Sequence, residues 1–273
     1  MRSPRLPMEL CDIVIDNCCT FPNDTVTQST LRACSLTCKA FLPRTRYHLF
    51  SQVNLTSSDG ANSFLDIISS ANSSIPCTYV RRLVIGIFYW KGHFEAPWVN
   101  KALVILAARL TEVTKLSVSG IRWRLLDDAE QTTVMLGFQK VKYLNICGTF
   151  RTSGQINSFI ASFPSLTDIS CPRIYWGLPD NASVMIRTPL PCSLTTIALR
   201  SSLAHLFAQF MSLDSHPIVR TVIFEYNAEH LQAHVQNMNE LLKILGSSLE
   251  HVELRNYLNQ CKHIFTLLAI ERP

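Results

Sequence analysis

Nine glycines in 273 residues leave little material for the loops that cradle phosphates, and no Gly-Lys-Ser/Thr loop occurs. The eight histidines are accompanied by neither a Gly-x-Ser-x-Gly elbow nor a His-Glu-x-x-His pair, so no activated serine or zinc-protease centre is encoded. Ten cysteines contain no Cys-x-x-Cys pair, which removes the usual signature of a zinc site. Glu9, Asp12 and Asp16 interrupt what would be the apolar core of an export signal. A disulfide framework therefore has no oxidising compartment to form in, and reduced, buried thiols are expected. Apolar stretches such as 83–90 and 102–108 are too short to span a bilayer.

Charge is also scarce. Charged residues make up 16% of the chain, against about 25% in ordinary soluble domains, while apolar residues reach 47%. The net charge of +5 comes without a concentrated basic face; Arg81-Arg82 and the Arg44/Arg46 pair are the nearest approach, so nucleic acid is not an expected partner. The expectation is an intracellular protein, cytoplasmic and/or nuclear, with no catalytic residues, no cofactor, no metal and no membrane partner. Its surplus of apolar residues is expected to be hidden against another protein.

What is present begins at the amino end. Leu6-Pro7-x-Glu9-Leu10 reads as a helix start: proline at the first helical position loses no hydrogen bond, and Glu9 sits where the helix dipole favours an anion. Leu10, Ile13, Val14 and Cys18, and then Leu31, Cys34, Cys38, Phe41 and Leu42, recur at three- and four-residue spacing, which predicts two helices with one apolar stripe each. Residues 19–29, with Phe-Pro-Asn-Asp-Thr and several Thr and Ser, are expected to be a loop, and a further loop or short helix starts near Pro43. Two such helices form either a docking module or a cap over the domain behind them.

The second signal is a repeat. An apolar-x-x-apolar-x-apolar hexad recurs as Phe50/Val53/Leu55, Val80/Leu83/Ile85, Val113/Leu116/Val118, Val141/Leu144/Ile146, Leu166/Ile169/Cys171, Leu194/Ile197/Leu199, Val219/Val222/Phe224 and Leu249/Val252/Leu254. Successive hexads start 30, 33, 28, 25, 28, 25 and 30 residues apart, near or just beyond the leucine-rich-repeat range. The last two apolar positions alternate with period two, as a strand with one buried face requires. Helix-like stretches at 63–68, 100–110, 156–163, 203–213 and 231–245 separate several hexads. Strand and helix in alternation predict an α/β fold, a solenoid of parallel strands with helical crossovers; one α/β domain with another strand order is the alternative. The chain stops soon after the eighth hexad without an evident capping segment, so a shortened array is expected.

The block Leu31-Arg32-Ala33-Cys34-Ser35-Leu36-Thr37-Cys38-Lys39-Ala40-Phe41, running into Pro43-Arg44-Thr45-Arg46-Tyr47-His48-Leu49-Phe50, resembles the F-box proteins of mushroom-forming fungi. The hexads resemble degenerate leucine-rich repeats; only Asn227 stands where the usual Asn or Cys follows a strand. The resemblance implies an F-box over 1–48 and a leucine-rich-repeat-like substrate-binding domain over 49–273. It implies a substrate receptor of an SCF-type cullin ubiquitin ligase, whose partners are a Skp-type adaptor, a cullin scaffold reached through it, and an unknown protein substrate. A repeat scaffold with no role in ubiquitin transfer is the alternative.

Carried over residue by residue, the resemblance implies adaptor contacts at Leu6, Pro7, Leu10, Ile13, Leu31, Cys34, Leu36, Cys38 and Phe41. It further implies a substrate face exposing Arg82, Lys115, Ser117, Tyr143, Asn145, Asp168, Arg200, Glu225, Glu253 and Arg255. Trp90, Trp98, Trp123 and Trp176 lie outside the strands, and most are expected in the core. With no flexible tether after residue 48, the two parts are expected to be rigidly fused.

Overall fold

The computed structural model describes residues 7–19, 25–70, 76–86, 96–177, 188–211, 217–226, 231–256 and 262–265. Three helices open the chain: α1 (Met8–Asn17), α2 (Thr25–Thr37) and α3 (Leu42–Ser51). The repeats follow as β1 (Gln52–Leu55), α4 (Ser58–Ser69), β2 (Arg82–Ile85), α5 (Pro97–Ala107), β3 (Lys115–Arg122), α6 (Asp128–Gly137), β4 (Tyr143–Phe150), α7 (Ser153–Ala161), β5 (Asp168–Trp176), β6 (Thr196–Arg200), α8 (Ala204–Met211), β7 (Thr221–Tyr226), α9 (Leu231–Leu245), β8 (His251–Asn256) and β9 (Lys262–Phe265). No described helix is long and apolar enough to cross a membrane.

All nine strands form one sheet in sequence order. Neighbours from β1 to β8 pair parallel, which settles the choice of strand order in favour of the solenoid. Each hexad supplies one strand. Its second and third apolar residues, from Val53 and Leu55 through Leu83 and Ile85 to Val222 and Phe224, lie in the core beneath the crossover helices. Each such apolar side chain is worth about 2 kcal/mol against exposure. The register keeps them in continuous rows, as in Leu83↔Leu116 and Ile85↔Val118.

A backbone pattern the hexad does not reveal locks one repeat to the next. One carbonyl before each strand from β2 to β7 accepts from two successive N–H groups of the following repeat: Arg81 O from Thr114 and Lys115 at 2.9 and 3.0 Å, Thr114 O from Lys142 and Tyr143 at 2.8 and 3.1 Å. The chain of pairs continues through Lys142, Thr167, Thr195 and Arg220. The hydroxyls of Thr114, Thr167 and Thr195 donate to the same preceding carbonyls, so these threonines hold the turn twice.

Several expectations are corrected. The second helix begins at Thr25, so most of the loop expected over 19–29 is helical or outside the described residues. The loop or short helix expected near Pro43 is α3, which runs to Ser51 with β1 directly behind it, and residues 48 and 49 both lie inside it. Helix α6 is not among the expected helical stretches, although Asp127 and Glu130 form a full capping box at its start. Strand β9 follows the eighth hexad and pairs antiparallel with β8, Val252 opposite Phe265, where no capping segment is expected. Trp176 is the last residue of β5 rather than outside the strands; as expected, Trp123 is buried, and Trp98 and Trp176 pack against the core, while Trp90 and Asn227 lie outside the described residues.

Candidate functional site

The N-terminal helices and the face of the sheet opposite the crossover helices are the two candidate surfaces. Pro7 precedes α1 as its cap, and Glu9 stands in its first turn. This helix is apolar on two sides. Cys11 and Ile15 are buried, whereas Leu10, Ile13 and Val14, at 46%, 54% and 47% exposure, point away. The stripe read from the sequence (Leu10, Ile13, Val14, Cys18) is thus the outward side, closed by the half-buried Cys18, and the buried side of Cys11 and Ile15 is one the spacing does not single out. The outward one stays bare because α1 needs only its Cys11/Ile15 side to lie on the other helices.

What holds α1 in place is polar. Arg44 of α3 donates to Asp16 through Nε and Nη2 at 2.6 and 2.7 Å, and the ring of His48 meets the same carboxylate at 2.7 Å. These bonds, Arg44 foremost, hold the Asp16 carboxyl at about 2, below its usual range. Just beyond Asp16, burial pushes the Cys34 thiol up, with the neighbouring Cys18 acting in the same direction.

The implied adaptor residues separate into groups. Pro7, Leu10, Ile13, Leu36 and Cys38 are exposed, Leu36 at 87%, while Cys34 and Phe41 are half-buried. Leu31 is 3% exposed because it is turned inward beside His48 and Leu49 of α3; it holds the helices together and offers no surface in this arrangement. Leu6 lies outside the described residues. The Cys-Lys-x-aromatic corner forms a turn, Phe41 N–H to Cys38 O at 3.3 Å. No disulfide joins any of the described cysteines, and Cys38 and Cys192 are exposed, contrary to the expectation of burial.

Helix α3 joins the module to the sheet. Ser51 O accepts from Arg81 N–H at 2.9 Å, and the Tyr47 ring packs edge-on against Tyr79 at 5.5 Å.

The sheet gathers the remaining candidates into two rows. At the strand-entry end, Arg82, Lys115, Tyr143 and Asp168 are in register across β2–β5, with the Lys115 ammonium over the Tyr143 ring at 4.5 Å. Thr167 Oγ1 donates to Asp168 Oδ2 at 2.6 Å. At the strand-exit end, Arg200, Glu225 and Arg255 are in register across β6–β8. Ser117 and Asn145 lie between the rows, opposite one another.

Glu253 is a correction. It is 7% exposed, and both its oxygens accept from Arg255, each at 2.7 Å; a buried carboxylate of this kind is tied down by its neighbour and offers little surface.

Toward the exit ends of β4 and β5 stand two residues that the hexad does not mark. Arg173 stands opposite Cys147 and acts on both Cys147 and Glu225. Burial pushes Cys147 up to about 11 and raises Glu225, while Arg255, Arg200 and Arg173 pull Glu225 the other way. On β4, Asn145 Oδ1 and Thr149 Oγ1 are buried without a hydrogen-bond partner, an energetic cost concentrated beside this row. Arg173 follows Pro172 beyond a register shift after Asn145, and only the paired strands reveal its place. Among the described residues, no group of three His, Cys, Asp or Glu side chains could hold a metal ion.

No family model matches the chain, and no curated protein matches it. Among solved structures, it is similar to the leucine-rich repeat-containing protein LegL7 from Legionella pneumophila, with a TM-score of 0.46 and 17% identity over 80% of this chain and 71% of that one.

Proposed function

We propose that this chain is a substrate receptor of an SCF-type cullin ubiquitin ligase, clipping onto a Skp-type adaptor through α1 and α2 and presenting the sheet face to a protein substrate. The observation that carries the reading is the outward face of α1: Leu10, Ile13 and Val14 are all about half exposed on one side of one short helix, beside a second helix that exposes Val26 and Leu36. Apolar groups concentrated in this way mark interaction sites. The link through α3 supports the same reading, since a receptor has to hold its substrate at a fixed distance from the ligase.

The second reading, a protein-interaction scaffold with no role in ubiquitin transfer, is favoured by Leu31, whose side chain serves the packing of the module itself. Coexpression with and without the adaptor separates the two. The receptor is expected to aggregate alone and to become soluble as a stoichiometric complex with the adaptor. A soluble monomer that does not retain the adaptor contradicts the receptor reading and leaves the scaffold.

A further inference from the structure

We propose that the strand-entry row of β2–β5 docks a short extended peptide segment of a partner protein, with an acidic side chain at one position and a basic side chain four positions away. The identity of that partner as a ligase substrate rests on the receptor reading; the binding chemistry does not. Strand register places Arg82, Lys115, Tyr143 and Asp168 side by side on consecutive strands. The residue that follows each of them in the chain is buried in the core, so the period-two alternation of a strand turns all four onto the face away from the crossover helices. Arg82, Lys115 and Tyr143 are exposed, and Asp168 is half-buried.

Among the described residues, neither Arg82 nor Lys115 meets a carboxylate. The Lys115 ammonium lies over the Tyr143 ring at 4.5 Å, a contact that supplies no counter-charge. Glu112, in the turn before β3, is taken by Arg81 and Lys140. Asp168 accepts from the Thr167 hydroxyl through Oδ2, and a carboxylate has room for further donors. Gln52 on β1 and Thr196 on β6, in register at the two ends of the row, are uncharged. The row therefore presents two cations at one end, an aromatic ring in the middle and one carboxylate at the other.

Adjacent strands stand about 4.8 Å apart, so Arg82 and Asp168 are separated by three spacings, about 14 Å. An extended peptide advances about 3.4 Å per residue and turns every second side chain to the same side, so its positions i and i+4 also lie about 14 Å apart and both face the sheet. A carboxylate at i reaches Arg82 and Lys115 in charge-assisted hydrogen bonds, and a cation at i+4 reaches Asp168. The side chain at i+2 lies on the exposed Tyr143 ring. Asp168 also argues against a polyanion: a nucleic-acid strand laid along the row brings a phosphate to that carboxylate, whereas a peptide with charges of both signs is complementary at both ends.

The test is fluorescence anisotropy on the full-length chain, alone or with adaptor bound, at low salt. The probes are labelled heptapeptides Ser-X-Ser-Leu-Ser-Z-Ser with blocked ends, in which X and Z are Glu and Lys, Glu and Glu, or Gln and Gln, together with a single-stranded thymidine hexamer. The Glu/Lys peptide is expected to bind in a salt-sensitive manner, tighter than Glu/Glu and at least about tenfold tighter than Gln/Gln, the scale of a hydrogen bond to a charged group. Arg82→Glu is expected to lose about tenfold in affinity for it on the same scale, and Lys101→Glu, an equal charge change on the exposed side of α5, to lose none. Asp168→Asn, which keeps the shape and removes the charge, is expected to bind Glu/Lys and Glu/Glu alike; the comparison is made within one variant and so reports even if its stability changes. No binding of the Glu/Lys peptide, a wild type that binds Glu/Glu or Gln/Gln as tightly, equal losses in Arg82→Glu and Lys101→Glu, an Asp168→Asn variant that still discriminates, or tighter binding of the thymidine hexamer each overturns the proposal. Selective Glu/Lys binding by a chain that ignores the adaptor removes the receptor reading and leaves this one standing.

Discussion

Asp16 at the end of α1 accepts two hydrogen bonds from Arg44 of α3, at 2.6 and 2.7 Å, and His48 one turn further along shares the same carboxylate. This half-exposed cluster fixes the angle at which α1 presents its bare apolar side. Asp16→Asn is expected to cost about 1 kcal/mol, the upper range for an exposed pair with good geometry, and to speed amide exchange in α1 ahead of the sheet. The folded carboxyl is depressed to about 2, below its unfolded value. Its stabilising effect is therefore complete above the unfolded value and disappears as pH falls toward 2. Urea unfolding at stepped pH should show the wild type and Asp16→Asn converging in that window.

Glu225 has the opposite sign. Burial raises its folded pKa above the unfolded one, so the charged form is penalised by folding, and the penalty is relieved as pH falls through the folded value. Glu225→Gln is expected to be more stable than wild type at neutral pH, with the advantage shrinking toward acid. Thermal melts at neutral and mildly acidic pH measure the difference.

Gly86 follows β2 with φ at +93°, and a Cβ placed there would lie 1.9 Å from the carbonyl oxygen of Ser119. Both the left-handed backbone and the close approach of β3 require glycine. Gly86→Ala is expected to destabilise by about 3 kcal/mol, the upper range for local backbone strain, visible as a lower urea midpoint.

Trp123 packs its ring edge-on against Phe159 at 4.5 Å and beside Phe150 at 6.2 Å, joining the ends of β3 and β4 to α7. Trp123→Ala should cost about 4 kcal/mol, the range for emptying a buried aromatic site, as measured by equilibrium unfolding.

The repeats are legible in the sequence because burial on one face of a strand imposes a period of two that a helix does not share. Leu116 and Val118 alternate in this way, as do Leu144 and Ile146, and each pair falls on a strand in the predicted place. Signals carried by side chains outside that period are not legible in it: the Asp127/Glu130 box before α6, the Thr114, Thr167 and Thr195 hydroxyls, and the antiparallel β9. The candidate site is less legible. Helical spacing places Leu10 and Ile13 with Val14, but it does not show that Cys11 and Ile15 form the buried side. Arg173 becomes a neighbour of Cys147 only through strand pairing.

In the proposed receptor, α1 and α2 bind an adaptor through their outward apolar groups. Ile13 and Leu36 are exposed at 54% and 87%, so Ile13→Asp with Leu36→Asp leaves the module's own core untouched. At an interface, by contrast, each of these side chains once buried is worth about 2 kcal/mol. Titration calorimetry of the Skp-type adaptor against wild type and the double variant is the most direct measurement. The prediction is stoichiometric binding by wild type, weakened at least about a hundredfold in the variant at unchanged melting temperature; no heat with wild type, or equal affinity for both, contradicts the account.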